Sequence, residues 1–188
     1  LSGGAGNWRT QNLSDSSIPR YNPSMPILDP HSLEIISRSA EQTRRVGMRL
    51  GTLLQPCDLI GLVGDLGSGK TTLVQGIAAG WGSLDPASSP TFVLVNVYRR
   101  PDGLQLFHLD AYRLSGPAEA IDLDLDSMLD QGPMLVEWAE RVQAALPPDG
   151  LWVHLNYVSE NQRDMIIAAR GEHYSDLLAR FRKLVYGG

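Results

Sequence analysis

The chain has 188 residues, 43% of them hydrophobic and 20% charged, which is the composition of a water-soluble globular domain. Its 16 basic and 21 acidic side chains leave a net charge of −5, so we expect no direct binding to DNA and no tight binding to RNA through the overall field of the protein. The single cysteine, Cys57, excludes an internal disulfide, and no apolar run approaches the roughly 20 residues of a membrane-spanning helix. We therefore expect a cytoplasmic protein.

The first part of the chain predicts a leader and then a helix. Residues 1–30 are rich in Ser, Gly, Asn and Pro and show no sustained periodicity, which predicts a flexible leader ahead of one domain that spans 31–188. From Ser32 to about Leu54, apolar residues recur at helical spacing, and Pro56 ends the pattern. We predict a first helix over 32–54.

The rest of the chain interleaves strand and helix patterns. Short apolar runs predict strands at 58–63, 91–98, 104–109, 134–136, 151–158 and 164–169. Helical patterns cover 70–81, a short segment after Pro117, and 174–185. This alternation predicts an α/β fold, a three-layer sandwich around a mixed, mostly parallel sheet with antiparallel additions.

A phosphate-binding motif lies between the first of these strands and the helix 70–81. Residues 64–71 fit the motif G-x-x-x-x-G-K-[ST] without a mismatch, and their glycines allow backbone N–H groups to point at phosphate oxygens. Lys70, one of only two lysines in the chain, would contact the β- and γ-phosphates, and Thr71 would offer its hydroxyl to Mg²⁺. The motif predicts a P-loop nucleoside triphosphatase whose ATP-binding residues are Gly64, Asp65, Leu66, Gly67, Ser68, Gly69, Lys70, Thr71 and Thr72.

Two carboxylates follow predicted strands. Asp110 comes after 104–109, and Glu137 comes after 134–136. A P-loop enzyme needs a carboxylate at the end of a neighbouring strand to hold Mg²⁺ or to orient water. We assign Lys70, Asp110 and Glu137 as catalytic candidates, and the sequence leaves open which carboxylate binds Mg²⁺ directly.

With these elements placed, the chain resembles the TsaE family, the ATPase component of bacterial tRNA threonylcarbamoyladenosine synthesis. The resemblance covers about residues 39–170. It is carried by GDLGSGKTT at 64–72, SPTF at 89–92, HLDAYRL at 108–114 and VEW at 136–138. The members of the last two motifs that we single out besides the carboxylates are His108, Tyr112, Arg113 and Trp138.

The resemblance implies roles for individual residues. It associates Thr71 and Glu137 with Mg²⁺, and Asp110 with hydrolysis and with positioning of metal or water. It also implies a switch-like segment near the γ-phosphate and two further nucleotide contacts. These are Ser89, Pro90 and Thr91 for the switch, Arg163 in the late hairpin, and Ala40 in the first helix.

The same resemblance implies a function. The protein would not modify the base itself; it would bind the TsaB and TsaD proteins, and ATP binding and hydrolysis would reset that complex between rounds of transfer to adenosine 37 of tRNA. Contact with tRNA would be indirect. We expect slow hydrolysis by the isolated chain, because only Arg113 and Arg163 are candidates for an arginine finger.

Two alternatives remain at this point. A small-molecule kinase would need an acceptor pocket and usually an arginine-rich lid, for which Arg99 and Arg100 are the only adjacent pair after the P-loop. A GTPase or nucleotide-gated interaction module would be expected to read guanine through N-K-x-D, which is absent from the sequence.

Overall fold

The structure, a computed structural model, describes residues 30–90 and 94–187 of the chain. Residues 1–29 of the leader predicted over 1–30, and the switch-like Thr91, lie outside the described residues. The strands are β1 (Ser32–Ser37), β2 (Leu59–Val63), β3 (Val95–Arg99), β4 (Gln105–Asp110), β5 (Met134–Glu137), β6 (Gly150–Tyr157) and β7 (Arg163–Arg170). The helices are α1 (Ala40–Gly51), α2 (Lys70–Trp81), α3 (Pro117–Ile121), α4 (Leu125–Gln131) and α5 (Glu172–Tyr186).

All seven of these strands form one mixed sheet in the order β1-β7-β6-β2-β5-β4-β3. The four central strands β6, β2, β5 and β4 run parallel, while β7, β1 and β3 add antiparallel pairs at the two sides. The predicted α/β fold with a mixed sheet is therefore confirmed. The parallel arrangement is what brings the carboxyl ends of β2, β4 and β5 to one edge of the sheet.

The predicted helix over 32–54 is wrong in its first third. Residues 32–37 form β1, which pairs antiparallel with β7 from Ser32 opposite Ala168 to Ser37 opposite Arg163. Burial alternates along the strand, with Leu33 and Ile35 inside and Ile36 half exposed. Helix α1 begins only at Ala40, where the Ser39 hydroxyl accepts a hydrogen bond from the Gln42 N–H and caps the helix.

Helices cover both faces of the sheet and make the predicted three layers. One face packs against α1, α2 and α5 in a core that includes Leu50, Ile77 and Phe181. The other face packs against α3, α4 and the short 3-10 helices, with Leu59 and Trp152 contributed by the sheet. Neighbouring strand residues alternate between the two cores, as the pleat of a sheet requires.

Glycines bring α1 and α2 into backbone contact. A Cβ atom added to Gly76 would meet the backbone of Arg44, and one added to Gly80 would meet the backbone of Met48. Equivalent contacts arise from the α1 side at Gly47 and Gly51. Because α2 starts at the P-loop, this close packing helps to fix the orientation of the helix whose N-terminus begins at the predicted phosphate-binding loop.

Most other boundaries agree with the sequence. Helix α2 spans the predicted 70–81, and β2, β4, β5, β6 and β7 each begin and end within one residue of their predicted ranges. The strand predicted at 91–98 is β3, which starts at Val95 within the described part of the chain. Within residues 30–90 and 94–187, no helix combines the length and the apolar character that crossing a membrane requires.

Candidate nucleotide-binding site

The P-loop turns tightly between β2 and α2. Gly64 has a φ of 146°, and a Cβ atom there would collide with the carbonyl oxygen of Leu155 on the neighbouring strand β6. Gly67 and Gly69 have φ values of 79° and 104°, a backbone region that residues other than glycine rarely adopt. Gly69 caps α2, so the helix N-terminus and its unpaired N–H groups open directly onto the loop.

Ser68 lies inside this loop. The residue is fully buried, and its Oγ atom has no hydrogen-bond partner among the residues that the structure describes. A buried hydroxyl without a partner costs free energy unless a further group satisfies it. The loop thus offers a buried hydroxyl donor in addition to its backbone N–H groups, which suits an oxyanion.

Lys70 is the first residue of α2, and only 4% of it is exposed. Its Nζ atom donates to the carbonyl oxygens of Gly64 at 2.6 Å and Asp65 at 2.9 Å. The ammonium also lies 3.8 Å from the centre of the Trp138 ring. Burial lowers the pKa of Lys70, while the nearby carboxylates of Glu137, Glu140, Asp110 and Asp65 oppose that shift.

The two candidate carboxylates stand side by side. Asp110 ends β4 and Glu137 ends β5, and the two residues are direct partners in the parallel register. They are 5% and 3% exposed. The Oγ1 atom of Thr71 donates to Glu137, at 2.9 Å from Oε1 and 3.1 Å from Oε2. The P-loop threonine and Glu137 therefore meet at one point, as a shared cation would require.

Asp110 has other partners. Its Oδ1 atom accepts a hydrogen bond of 2.9 Å from the N–H of Tyr112, and its Oδ2 atom lies 3.4 Å from the hydroxyl of Ser89. The next residue, Pro90, accepts the N–H of Leu94 through its carbonyl. A hydrogen bond thus links the carboxylate of Asp110 to the segment that contains Ser89 and Pro90.

His108 lies under the site and is fully buried. Its Nε2 atom is 3.0 Å from Oε1 of Glu137, and its Nδ1 atom is 3.0 Å from the hydroxyl of Tyr98. Sequence reasoning did not identify Tyr98. In β3, Tyr98 lies two residues beyond Asn96, which by itself does not indicate a role in the site. Only its pairing with Leu106 shows that Tyr98 lies on the same face of the sheet as His108.

A second missed residue is Glu140, in the 3-10 helix Ala139–Arg141. Its Oε2 atom is buried and has no hydrogen-bond partner within the described residues, and burial raises the pKa of Glu140 above its usual value. The ammonium of Lys70 opposes this shift. No sequence motif predicts that Glu140 lies near Lys70. Its position depends on the left-handed turn at Trp138, whose φ is 58°.

Arg163 contacts the P-loop. Its Nη2 atom donates to the carbonyl of Gly67 at 3.3 Å, and its Nη1 atom donates to the carbonyls of Ser159, Glu160 and Gln162. Its guanidinium also stacks at 4.6 Å over the ring of Tyr157. These contacts hold the late hairpin beside the loop.

Three further residues predicted for the site, Tyr112, Arg113 and Ala40, are exposed. The ring of Tyr112 packs against Trp138 with a centroid separation of 5.0 Å, and the guanidinium of Arg141 lies 6.0 Å from the Tyr112 ring. Arg113 is exposed in the 3-10 helix that follows Asp110. Ala40 is an exposed residue at the start of α1.

The donor set fits Mg²⁺ bound together with phosphate. No group of three or more His, Cys, Asp or Glu side chains in the described ranges is arranged to hold a metal ion on its own. Mg²⁺ is usually held by one or two protein oxygens together with substrate phosphates and water. The hydroxyl of Thr71 has lone pairs left for a cation while its proton faces Glu137, so this pair fits such a site.

Comparisons with known proteins find similar sequences and a similar fold. The family model described as threonylcarbamoyl adenosine biosynthesis protein TsaE matches residues 37–165. The tRNA threonylcarbamoyladenosine biosynthesis protein TsaE of Bacillus subtilis is 35% identical over 138 residues, which cover 73% of this chain and 85% of that protein. The protein of the same name from Streptomyces coelicolor is 38% identical over 138 residues, with 70% and 93% covered. The crystal structure of Bacillus subtilis YdiB superposes with a TM-score of 0.68 at 29% identity and covers 82% of this chain and 96% of that one.

Proposed function

This chain belongs to the TsaE family, and we propose that it is the Mg²⁺-dependent ATPase of tRNA N6-threonylcarbamoyladenosine synthesis. The observation that carries the proposal is the meeting of Thr71 with Glu137 beside the P-loop lysine. The relatives are named for this pathway, and the described site contains the parts that hydrolysis of a nucleoside triphosphate needs.

ATP would bind with its phosphates in the loop 64–69. The ammonium of Lys70 now bonds the carbonyls of Gly64 and Asp65, and it can exchange these neutral acceptors for charged phosphate oxygens, which bind it more strongly. Ser68 would find in a phosphate oxygen the partner that its buried hydroxyl lacks among the described residues. Thr71 and Glu137 would hold Mg²⁺, which when bound supplies positive charge against the phosphate oxygens.

Hydrolysis would proceed by in-line attack of water on the γ-phosphorus. The bond from the water oxygen to phosphorus forms as the bond from phosphorus to the β–γ bridging oxygen breaks, and that oxygen leaves with the electron pair as part of ADP. Asp110 would orient the water and accept its proton, because Glu137 already bonds Thr71 and His108 whereas Asp110 faces the segment with Ser89. Lys70 would stabilise charge on the transferred group.

We propose that the isolated chain turns over slowly. Arg163 contacts the loop, but its guanidinium donates to four backbone carbonyls and stacks on a tyrosine ring, so it is poorly placed to reach a transition state. A partner would supply the missing rearrangement or charge. The TsaB–TsaD complex is the partner that family membership suggests, and tRNA would be contacted through it, in keeping with a net charge of −5.

The test is an ATPase assay with purified TsaB and TsaD, combined with a pull-down. We expect phosphate release by this chain to rise when the two proteins are added, and Lys70→Ala to abolish it. Lys183→Ala is the matched control, because Lys183 is exposed in α5 and is the only other lysine. Retained turnover in Lys70→Ala would refute the proposal, a phosphorylated small product in place of phosphate would indicate a kinase, and preference for GTP would indicate a GTPase-like module.

A further inference from the structure

A chain of hydrogen bonds leaves the site through the interior of the sheet. It starts at Oε1 of Glu137, passes through both nitrogens of His108 to the hydroxyl of Tyr98, and ends at the carbonyl oxygen of Ser88. The three links measure 3.0, 3.0 and 2.9 Å. His108 is fully buried and Tyr98 is 2% exposed, so water does not compete for the two inner bonds, whereas the outer bond reaches Ser88 on the protein surface.

The number of protons makes the links interdependent. A neutral histidine donates through one ring nitrogen and accepts through the other, and a tyrosine has a single hydroxyl proton. Burial raises the pKa of Tyr98, so the phenol keeps that proton. When His108 donates through Nε2 to the carboxylate of Glu137, its Nδ1 must accept the proton of Tyr98. Of the two side-chain donors that the structure places at the carbonyl of Ser88, Nδ2 of Asn96, at 3.0 Å, is then the one that remains.

The other tautomer of His108 adds a hydrogen bond at the carbonyl of Ser88. If Glu137 no longer accepts from His108, the ring can carry its proton on Nδ1 and donate to the oxygen of Tyr98. The hydroxyl proton of Tyr98 then goes to the carbonyl of Ser88, which is held by two donors, Tyr98 and Asn96. Both arrangements use the same heavy-atom positions, so a small displacement of one carboxylate suffices to exchange them.

We propose that His108 and Tyr98 are a positioning pair that transmits the placement of the Glu137 carboxylate to the backbone at Ser88. The proposal deepens the function proposed above and rests on it, since Mg²⁺ and nucleotide are what would draw Glu137 away from His108. Neither residue touches the reacting atoms.

The location of Ser88 gives the pair its consequence. The next residue, Ser89, lies 3.4 Å from Asp110 through its hydroxyl, so the segment held by the pair also contacts the second carboxylate. Ser88, Asn96 and Tyr98 also line a surface groove beside β3, the last strand of the sheet. A change at Glu137 would therefore reach both the water-binding side of the site and the protein surface.

The experiment uses the full chain without nucleotide. Instead of displacing the carboxylate of Glu137 with a ligand, it removes that carboxylate by mutation. In wild type, nitrogen-15 spectra of labelled histidine should show His108 as the Nε2–H tautomer; its signal is assigned by its loss in His108→Gln. In Glu137→Ala the tautomer should change to Nδ1–H, and amide exchange of residues 87–89 should slow by about fivefold, the factor that one net hydrogen bond confers.

The double variant Glu137→Ala with Tyr98→Phe decides whether the signal passes through the hydroxyl. We expect it to lose the slower exchange while keeping the fold, as judged by exchange in α5. Tyr186→Phe is the matched control, because Tyr186 also donates to a backbone carbonyl, that of Glu34, far from the site. It should leave the effect of Glu137→Ala unchanged.

Three results would overturn the proposal. They are a His108 ring that is protonated on both nitrogens in wild type, an unchanged tautomer in Glu137→Ala, or equal slowing at residues 87–89 with and without Tyr98→Phe. Because nucleotide is absent, none of them depends on ATP binding, which calorimetry on wild type tests separately. Failure of the positioning pair is thereby distinguished from failure of the proposed ATPase function.

Discussion

The hydroxyl oxygen of Thr71 lies 2.9 Å from one carboxylate oxygen of Glu137 and 3.1 Å from the other. These residues are 66 positions apart and come from the start of α2 and the end of β5. Their contact joins the phosphate loop to the strand that also borders Asp110. The cation-binding part of the proposed mechanism depends on this pair.

We predict that Glu137→Gln weakens the contribution of Mg²⁺ to nucleotide binding. The amide keeps the shape of the side chain but removes the negative charge, so the gain in ATP affinity on adding Mg²⁺ should fall by roughly tenfold or more. Calorimetric titration with ATP, with Mg²⁺ and with a chelator, measures this gain. Glu34→Gln, on the exposed side of β1, should bind like wild type, and an undiminished Mg²⁺ effect in Glu137→Gln would contradict the assignment.

Asp110→Asn should separate binding from chemistry. If Asp110 orients water and accepts its proton, the variant should bind ATP with nearly unchanged affinity and lose about 10² to 10⁴ in kcat. Single-turnover phosphate release in the presence of TsaB and TsaD is the measurement. Asp122→Asn, in the exposed acidic stretch between α3 and α4, should retain full activity. A loss of affinity with normal kcat in Asp110→Asn would instead place this carboxylate at the metal.

Lys70→Met should abolish nucleotide binding and yet leave the protein at least as stable as wild type. The pKa of Lys70 is lowered because burial disfavours the ammonium more than the surrounding carboxylates favour it. An apolar side chain of similar length avoids this cost. Denaturant unfolding should therefore show an equal or higher free energy of unfolding, whereas Lys183→Met on the exposed face of α5 should change neither property. A clear destabilisation would show that Lys70 holds the carboxylates together.

Gly76→Ala should destabilise the fold by about 1 to 3 kcal/mol, because the added methyl group overlaps the backbone of Arg44 and separates α1 from α2. Thermal and denaturant unfolding measure the loss. Gly116→Ala is the matched control: its backbone is extended, and a Cβ atom there meets nothing within 4 Å. Equal stability of the two variants would mean that the helices have room to separate.

Alkaline pH should destabilise the protein through Tyr174. Burial raises the pKa of this tyrosine from 10.0 to about 12, and its oxygen accepts the N–H of Leu59 at 2.8 Å. Since the folded pKa lies above the unfolded one, the stabilising contribution is complete below pH 10 and is lost as the pH rises to about 12. The two-unit shift corresponds to about 2 to 3 kcal/mol.

The free energy of unfolding followed against pH in denaturant tests this expectation. Tyr174→Phe should flatten the decline between pH 10 and 12, although it loses about 1 to 3 kcal/mol at neutral pH because the N–H of Leu59 remains unpaired. Tyr186→Phe should keep the wild-type decline. An undiminished slope in Tyr174→Phe would assign the alkaline transition to another group.

The sequence predicted local structure well where one element is read by its own pattern. The P-loop, α2 and the central strands follow from short-range chemistry, namely glycines, an apolar run and a helix start. The strand β1 was missed because Ile36 extends an apparent helical spacing even though Leu33 and Ile35 alternate with exposed neighbours. That segment becomes a strand by pairing with β7, about 130 residues later, and a pattern confined to its own residues carries no such information.

What the sequence determined by itself was the type of chemistry: a phosphate loop, a lysine and a hydroxyl in fixed order, and two carboxylates that each end a strand. Only the tertiary structure decided how these residues meet. The parallel register set Asp110 beside Glu137, the packing of α2 brought Thr71 to Glu137, and the sheet placed His108 and Tyr98 behind them. The reason is physical, since motifs arise from neighbouring residues along the chain, whereas hydrogen bonds between β3, β4, β5 and α2 depend on strand order and register that no single segment specifies.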